Sequence, residues 1–161
     1  MVDSAAIIDY LDEFAGPDRA LTPRDGPLRR RVLSLLGVEL GIMDKLLSVL
    51  YERQFRPKEK WHLPWIEACE TQICDGFNWL NDTCEGDWLT GAKMTQADVS
   101  LAVFWDFATR LRPNFFAEFD CSYIDTITKK LGETYAFTAT APTDSALSAK
   151  LPKTQAKDAA T

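Results

Sequence analysis

Apolar residues recur along most of the chain at intervals of three, four and seven, the spacing that places side chains on one face of a helix. The longest such run predicts a helix over about residues 28–56, with a stripe made of Leu28, Val32, Leu35, Leu36, Ile42, Met43, Leu46, Leu47 and Leu50. A second stripe predicts a helix from Pro64 to Glu85 and Gly86, with a buried face made of Ile66, Cys69, Ile73, Phe77, Leu80 and Cys84. No segment before residue 143 alternates apolar and polar residues over a strand's length. The sequence therefore predicts an all-α domain.

A short polar motif marks the start of a central helix. Thr95 and Asp98 have the spacing of a capping box, and Met94 and Val99 occupy the hydrophobic positions that flank such a box. The segment that follows, over residues 96–111, is apolar on nearly every face, which is typical of a helix inside a core. We therefore expect this helix to lie at the centre of the domain.

Shorter helices are predicted on either side of these three. Residues 4–14 carry apolar side chains on one side and end at Gly16 and Pro17. Ser122 and Asp125 have the spacing of a second capping box, which would open a helix that carries Ile124, Ile127 and Leu131. The domain is thus predicted to be a bundle of about five to six helices.

Composition and charge exclude several classes of function. The net charge of −6 argues against non-specific nucleic-acid binding, which needs a basic surface. The sequence contains no run of about 18 apolar residues, so no membrane-spanning helix is predicted. The first residues do not have the pattern of a signal peptide. The four cysteines form no Cys-x-x-Cys pair and His62 is the single histidine, so we expect reduced thiols, a cytoplasmic protein and no metal site.

Several segments, taken in their order, resemble the C-terminal helical domain of glutathione S-transferases. They are the capping box at residues 95–98 and the segments 2–13, 16–17, 21–23, 88–91 and 136–142. By this resemblance, residues 1–14 correspond to the last helix of a thioredoxin-like domain, residues 15–27 to an interdomain linker and residues 28–142 to the all-helical domain. Residues 143–161 are predicted to be a disordered tail.

The resemblance implies an activity, which is the conjugation of glutathione to electrophilic small molecules, a detoxification reaction. In the family, a preceding thioredoxin-like domain carries the Ser, Cys or Tyr that stabilises the glutathione thiolate. The sequence has no such segment before Met1. We therefore assign no catalytic residue, and expect a truncated chain that is inactive by itself, with glutathione as co-substrate of the intact family and no other cofactor.

Two groups of residues are candidates for binding. Asp3 and Ser4 match the acidic residue and serine that hold the γ-glutamyl end of glutathione in the family, although either could simply cap the first helix. Tyr51, Arg53 and Trp105 are candidates for the electrophile pocket, which the resemblance places beside the long helix and the central helix. Aromatic residues at helical spacing also suit a core.

A second function remains open, that of a non-catalytic protein-interaction module. Helical domains of this family occur without catalysis in translation elongation factors and aminoacyl-tRNA synthetases. The partners expected for this chain are a second copy of itself or a thioredoxin-like domain. Glutathione is expected to bind the chain alone weakly or not at all, and neither nucleic acid nor membrane is an expected partner.

The segment after Pro142 should be dispensable for stability. It contains only Leu147 and Leu151 as bulky apolar residues, too few to offset the cost of ordering it. Removing residues 143–161 should leave the melting temperature unchanged within error. A decrease of several degrees would show that one of the two leucines packs against the domain.

Overall fold

Seven α-helices make up the described part of the chain. The structure is a computed structural model, and it describes residues 2–84 and 86–143. The helices are α1 (Ser4–Ala15), α2 (Gly26–Phe55), α3 (Leu63–Asp82), α4 (Gln96–Leu111), α5 (Pro113–Phe116), α6 (Ser122–Gly132) and α7 (Tyr135–Thr140). A 3₁₀-helix at Lys58–Lys60 joins α2 to α3, and no strand forms within those ranges. The prediction of an all-α bundle is confirmed.

The predicted long helices form with small shifts at their ends. α2 begins two residues earlier than expected, at Gly26, and α3 ends at Asp82, so Cys84 lies beyond the helix. Leu28 is 42% exposed and therefore lies off the buried face of α2. The sequence does not predict α5 or α7, because helices of four and six residues are too short to show a periodic stripe. From residue 144 onward, the predicted tail lies outside the described residues.

α4 is the central helix, as its apolar sequence predicts. α2 packs along α3 and against α4, and α6 packs against another side of α4. At the centre, the ring of Trp105 meets those of Phe77 and Phe116 edge to face, with centroids 4.8 and 5.4 Å away. Such arrangements stabilise a core beyond the area that they bury. The three rings join α3, α4 and α5.

α2 and α3 approach each other closely at Gly76. A Cβ atom at this position would lie 2.5 Å from Cγ1 of Ile42, which is 4% exposed. A side chain at Gly76 would therefore force Ile42 or the two helices to move.

The capping box at the start of α4 forms as predicted. Oδ2 of Asp98 accepts hydrogen bonds from the Thr95 amide at 2.7 Å and from the Thr95 hydroxyl at 2.9 Å. Its other oxygen, Oδ1, accepts from the amide of Leu89 at 2.8 Å. Because Asp98 is fully buried, one carboxylate satisfies three donors that water cannot reach.

The second predicted capping box, at Ser122 and Asp125, is wrong. The N-cap position of α6 is Cys121, which makes no side-chain capping bond, and Asp125 instead accepts a hydrogen bond from Nε1 of Trp105 at 2.7 Å. The first amides of α6 donate to Oδ1 of Asn81, which lies on α3. The cap thus comes from a residue about 40 positions earlier, where local spacing cannot reveal it.

The linker attaches α1 to the start of α4. Both carboxylate oxygens of Asp12 accept backbone hydrogen bonds, from Leu21 at 2.8 Å and Thr22 at 2.9 Å. The carbonyl oxygen of Leu21 in turn accepts from the amide of Gln96, the first residue of α4, at 3.0 Å. Two short connections therefore hold α1 beside the central helix.

We expect the Asp98→Ala substitution to lower the free energy of unfolding by about 3 kcal/mol, because it leaves buried donors unsatisfied. Denaturant unfolding would measure the change. The matched control is Asp106→Ala on the same helix, which removes a half-exposed carboxylate and should cost no more than about 0.5 kcal/mol. Equal losses in the two variants would contradict the role assigned to Asp98.

Candidate functional site

Asp3 and Ser4 lie together at the start of α1. Oδ1 of Asp3 accepts hydrogen bonds from the amides of Ala5 at 2.8 Å and Ala6 at 3.2 Å, so Asp3 caps the helix. Its backbone has a φ of 86°, a conformation that few residues other than glycine adopt. The other oxygen, Oδ2, and the Ser4 hydroxyl accept or donate no hydrogen bond among the described residues. Both atoms are thus available to a ligand.

A cavity of about 260 Å³ lies beside Ser4, and we call it the α1 cavity. It is bounded by α1, α2 and α4 and has mostly apolar walls, which include Ser4, Ile8, Leu36, Leu40, Gln96, Val99, Val103 and Phe104. Gln96 is nearly buried, and its side chain donates to the hydroxyl of Ser100 at 3.1 Å. The serine predicted to hold glutathione therefore lies at the edge of an apolar recess.

A larger cavity, of about 640 Å³, follows along α4, and we call it the α4–α7 cavity. Its walls come from α2, α4, α6 and α7, and they include Met43, Val103, Phe104, Phe107, Thr128, Gly132, Phe137 and Pro142. Asp106 and Arg110 are the ionisable residues of its lining. Val103 and Phe104 also line the α1 cavity, so the two cavities adjoin each other on α4.

α1 presents an apolar face that no other described helix covers. None of its residues is buried, and four large side chains on it are exposed, namely Ile7, Tyr10, Leu11 and Phe14. Phe14 is 82% exposed. These four residues recur at intervals of three and four and so share one face of α1.

The structure does not bring Tyr51, Arg53 and Trp105 together. Trp105 is 4% exposed and belongs to the aromatic core. Tyr51 is about half exposed and packs against the tilted ring of Phe55, whereas Arg53 donates to Glu70 on α3 at 3.0 Å. None of the three lines the α1 cavity or the α4–α7 cavity. Their place in an electrophile pocket stays a prediction.

The cavity-lining residues of α4 are the ones that the sequence reading missed. A helix sequence that is apolar on every face indicates burial. It does not show which face packs against other helices and which face lines a cavity. Val103 is nevertheless 48% exposed, and Phe104 and Phe107 are only partly buried. The sequence did contain one signal, the opposite charges of Asp106 and Arg110 four residues apart. Such a pair is uncommon in a fully buried helix and indicates that one face of α4 is open.

Glu39 is an unusual buried acid. It is 1% exposed, and neither of its carboxyl oxygens has a hydrogen-bond partner in the described residues. Burial raises the pKa of Glu39 well above its ordinary value of 4.5, and the negative charge of Asp98 raises it further. Glu39 is therefore neutral in the folded protein at pH values where an exposed glutamate is ionised.

The cysteines are unsuited to nucleophilic chemistry. All four are free thiols. Burial, together with the nearby Asp98, raises the pKa of Cys84 to about 12, and burial with Asp125 raises that of Cys121 to about 11. Both stay protonated at neutral pH, and a protonated thiol is a poor nucleophile.

His62 lies at the N-cap position of α3, where its backbone amide donates to Glu52 at 3.0 Å. Within the described ranges, no helix is both long and apolar enough to span a membrane.

Comparison with known proteins identifies the fold. No protein-family model and no curated protein matches the chain. Among solved structures, it is similar to a glutathione S-transferase of Methylobacillus flagellatus KT with glutathione bound, at 20% identity and a TM-score of 0.78 over 89% of this chain and 70% of that one. It is also similar to one from Methylobacterium radiotolerans JCM 2831 in complex with glutathione sulfonate, at 22% identity and a TM-score of 0.75 over 88% of this chain and 66% of that one.

A third similar structure is a glutathione transferase family member from Pseudomonas fluorescens Pf-5 with bound S-(propanoic acid)-glutathione. Its identity is 26% and its TM-score 0.74, over 89% of this chain and 72% of that one. The chain therefore spans between 66% and 72% of the lengths of these three structures. Its fold is all-α and like that of the C-terminal domain of glutathione S-transferases.

The Glu39→Gln substitution should remove a pH dependence of stability. Above pH 4.5 the unfolded chain loses the proton that folded Glu39 retains, so the parent's free energy of unfolding should decrease relative to the variant's as pH rises. The relative decrease should begin near pH 4.5 and end where the pH passes the raised pKa of folded Glu39. Denaturant unfolding at several pH values measures it.

The control for this experiment is Glu67→Gln, which changes an exposed glutamate on α3 and should leave the pH profile of the parent intact. Parallel profiles for the parent and Glu39→Gln would show that Glu39 is ionised in the folded protein.

Proposed function

We propose that this chain is the helical part of a glutathione-dependent transferase that conjugates glutathione to electrophilic small molecules. The observation that carries the proposal is the position of Ser4. Its hydroxyl lies at a helix start and beside an apolar recess, with no hydrogen-bond partner among the described residues. The similarity to structures that contain glutathione or a glutathione derivative supports the same activity.

The start of α1 has the chemistry needed for the γ-glutamyl end of glutathione. A carboxylate is favoured at a helix N-terminus, and the Ser4 hydroxyl can donate a hydrogen bond to it. Asp3 uses only Oδ1 to cap the helix, so Oδ2 can accept a hydrogen bond from an ammonium group. Asp3 caps the helix, and in this proposal it also binds the ammonium group of the ligand.

The α4–α7 cavity is our proposed site for the electrophile. Its size and apolar walls suit a small apolar molecule, and it adjoins the α1 cavity, which begins at Ser4. Trp105 contributes by holding these walls in place, because its hydrogen bond to Asp125 fixes α4 to α6. Tyr51 and Arg53 are proposed for this site on the resemblance alone, since neither lines the cavity.

The exposed face of α1 is proposed to receive a thioredoxin-like domain. That domain would supply the group that stabilises the glutathione thiolate, because reactive chemistry at neutral pH needs a donor placed at the sulfur. A second copy of this chain would cover the same apolar face without supplying such a donor. We therefore favour the thioredoxin-like domain over a homodimer as the partner of α1.

The proposal predicts that the chain alone conjugates no glutathione, whereas a fusion to a thioredoxin-like domain does. A thioredoxin-like domain of a glutathione transferase would be joined ahead of residue 2 of this chain. The fusion should conjugate glutathione to 1-chloro-2,4-dinitrobenzene, and Ser4→Ala should raise its KM for glutathione about tenfold, the effect of losing one hydrogen bond to a charged group.

The matched control is Ser48→Ala on α2, where the hydroxyl donates only to the carbonyl oxygen of Asp44. It should leave the KM for glutathione unchanged. A folded fusion that neither binds glutathione in calorimetry nor conjugates it would contradict the proposal. That result would favour the non-catalytic interaction module, which the exposed face of α1 also suits.

A further inference from the structure

We propose that the α4–α7 cavity selects apolar molecules that carry a carboxylate, which Arg110 binds. This inference deepens the proposed function, because the cavity is the one assigned to the electrophile. It concerns which molecules enter the cavity and does not depend on glutathione being present.

The walls of the cavity determine the apolar part of the ligand. Aromatic rings line it from two helices, with Phe104 and Phe107 on α4 and Phe137 on α7, and Met43 adds a flexible thioether side chain. Rings and thioethers pack well against flat apolar molecules. The volume of about 640 Å³ lies within the range of small-molecule sites.

Arg110 determines the charged part. Its contact with Asp106 uses only Nε, at 3.5 Å, which is too long for a strong hydrogen bond. Its two Nη atoms make no hydrogen bond among the described residues. An arginine side chain binds a carboxylate through two parallel hydrogen bonds. The side chain of Arg110 is 39% exposed, so it is accessible at the edge of the cavity.

A second polar group in the same wall lacks a partner. The hydroxyl oxygen of Thr128, on α6, is buried and makes no hydrogen bond in the described residues. Buried polar atoms in native proteins almost always have a partner, which can be a ligand or an ordered water. That oxygen is inaccessible from the cavity, however, so the guanidinium of Arg110 is the polar group that argues for an acid over a hydrocarbon.

Asp106 provides a second test of the inference, because its negative charge should weaken the binding of an acid that Arg110 strengthens. Its carboxylate is 47% exposed and lies beside Arg110, so it competes with a ligand carboxylate for the guanidinium. Removing the charge of Arg110 should weaken the binding of an acid, and removing the charge of Asp106 should strengthen it. Neither change should affect an uncharged molecule of the same shape.

The experiment uses two fluorescent probes, dansylglycine and its uncharged amide, titrated into the full chain without glutathione. We expect dansylglycine to bind with one-to-one stoichiometry and more tightly than the amide. Arg110→Gln should raise the Kd of dansylglycine about tenfold, and Asp106→Asn should lower it about threefold. The Kd of the amide should change less than about twofold in both variants.

The controls are Arg30→Gln and Asp44→Asn, which make the same changes in net charge at exposed positions of α2 outside the cavity. Both should leave the two Kd values unchanged. The inference is overturned if neither probe binds, if the two probes respond equally to the substitutions, or if the controls act as strongly as the cavity variants. Because no glutathione is used, an inactive fusion protein would leave this result untouched, and the two proposals can fail separately.

Discussion

The buried carboxylate of Asp98 is the interaction on which the rest of the structure depends. It holds the start of α4 through Thr95 and holds the segment before α4 through the amide of Leu89. α4 in turn provides the surface against which α2 and α6 pack. Three hydrogen bonds to one charge therefore determine where the central helix begins, and the position of that helix determines the shape of both cavities.

The same carboxylate has a cost for the structure, which Glu39 reveals. Placing a second acid near a buried negative charge is unfavourable unless that acid keeps its proton. Glu39 keeps its proton but has no hydrogen-bond partner among the described residues. An apolar residue of similar size would avoid both the repulsion from Asp98 and the cost of burying unpaired oxygen atoms. Nothing in the contacts of Glu39 explains why a carboxyl group occupies this position.

Much of the fold could be predicted because its signals are local. The stripes of α2 and α3 and the capping box of α4 each lie within one segment, and the bounds of α4 agree with those expected at both ends. The start of α6 could not be predicted in the same way, because its cap is supplied by Asn81 from another helix. The candidate site divides similarly, since Ser4 is proposed from a family resemblance carried by neighbouring residues. The α4–α7 cavity, by contrast, arises where side chains from four helices meet.

The capping of α6 by Asn81 also bears on how the chain reaches its native state. An isolated helix of this length is marginal in water, and its first amides acquire their acceptor only once α3 lies alongside. A second hydrogen bond joins α6 to an earlier helix, from the indole of Trp105 on α4 to Asp125. We therefore expect α6 to become stable only after α3 and α4, which come earlier in the chain, have docked against it. Loosening either contact should make this part of the bundle the first to exchange its amide protons with solvent.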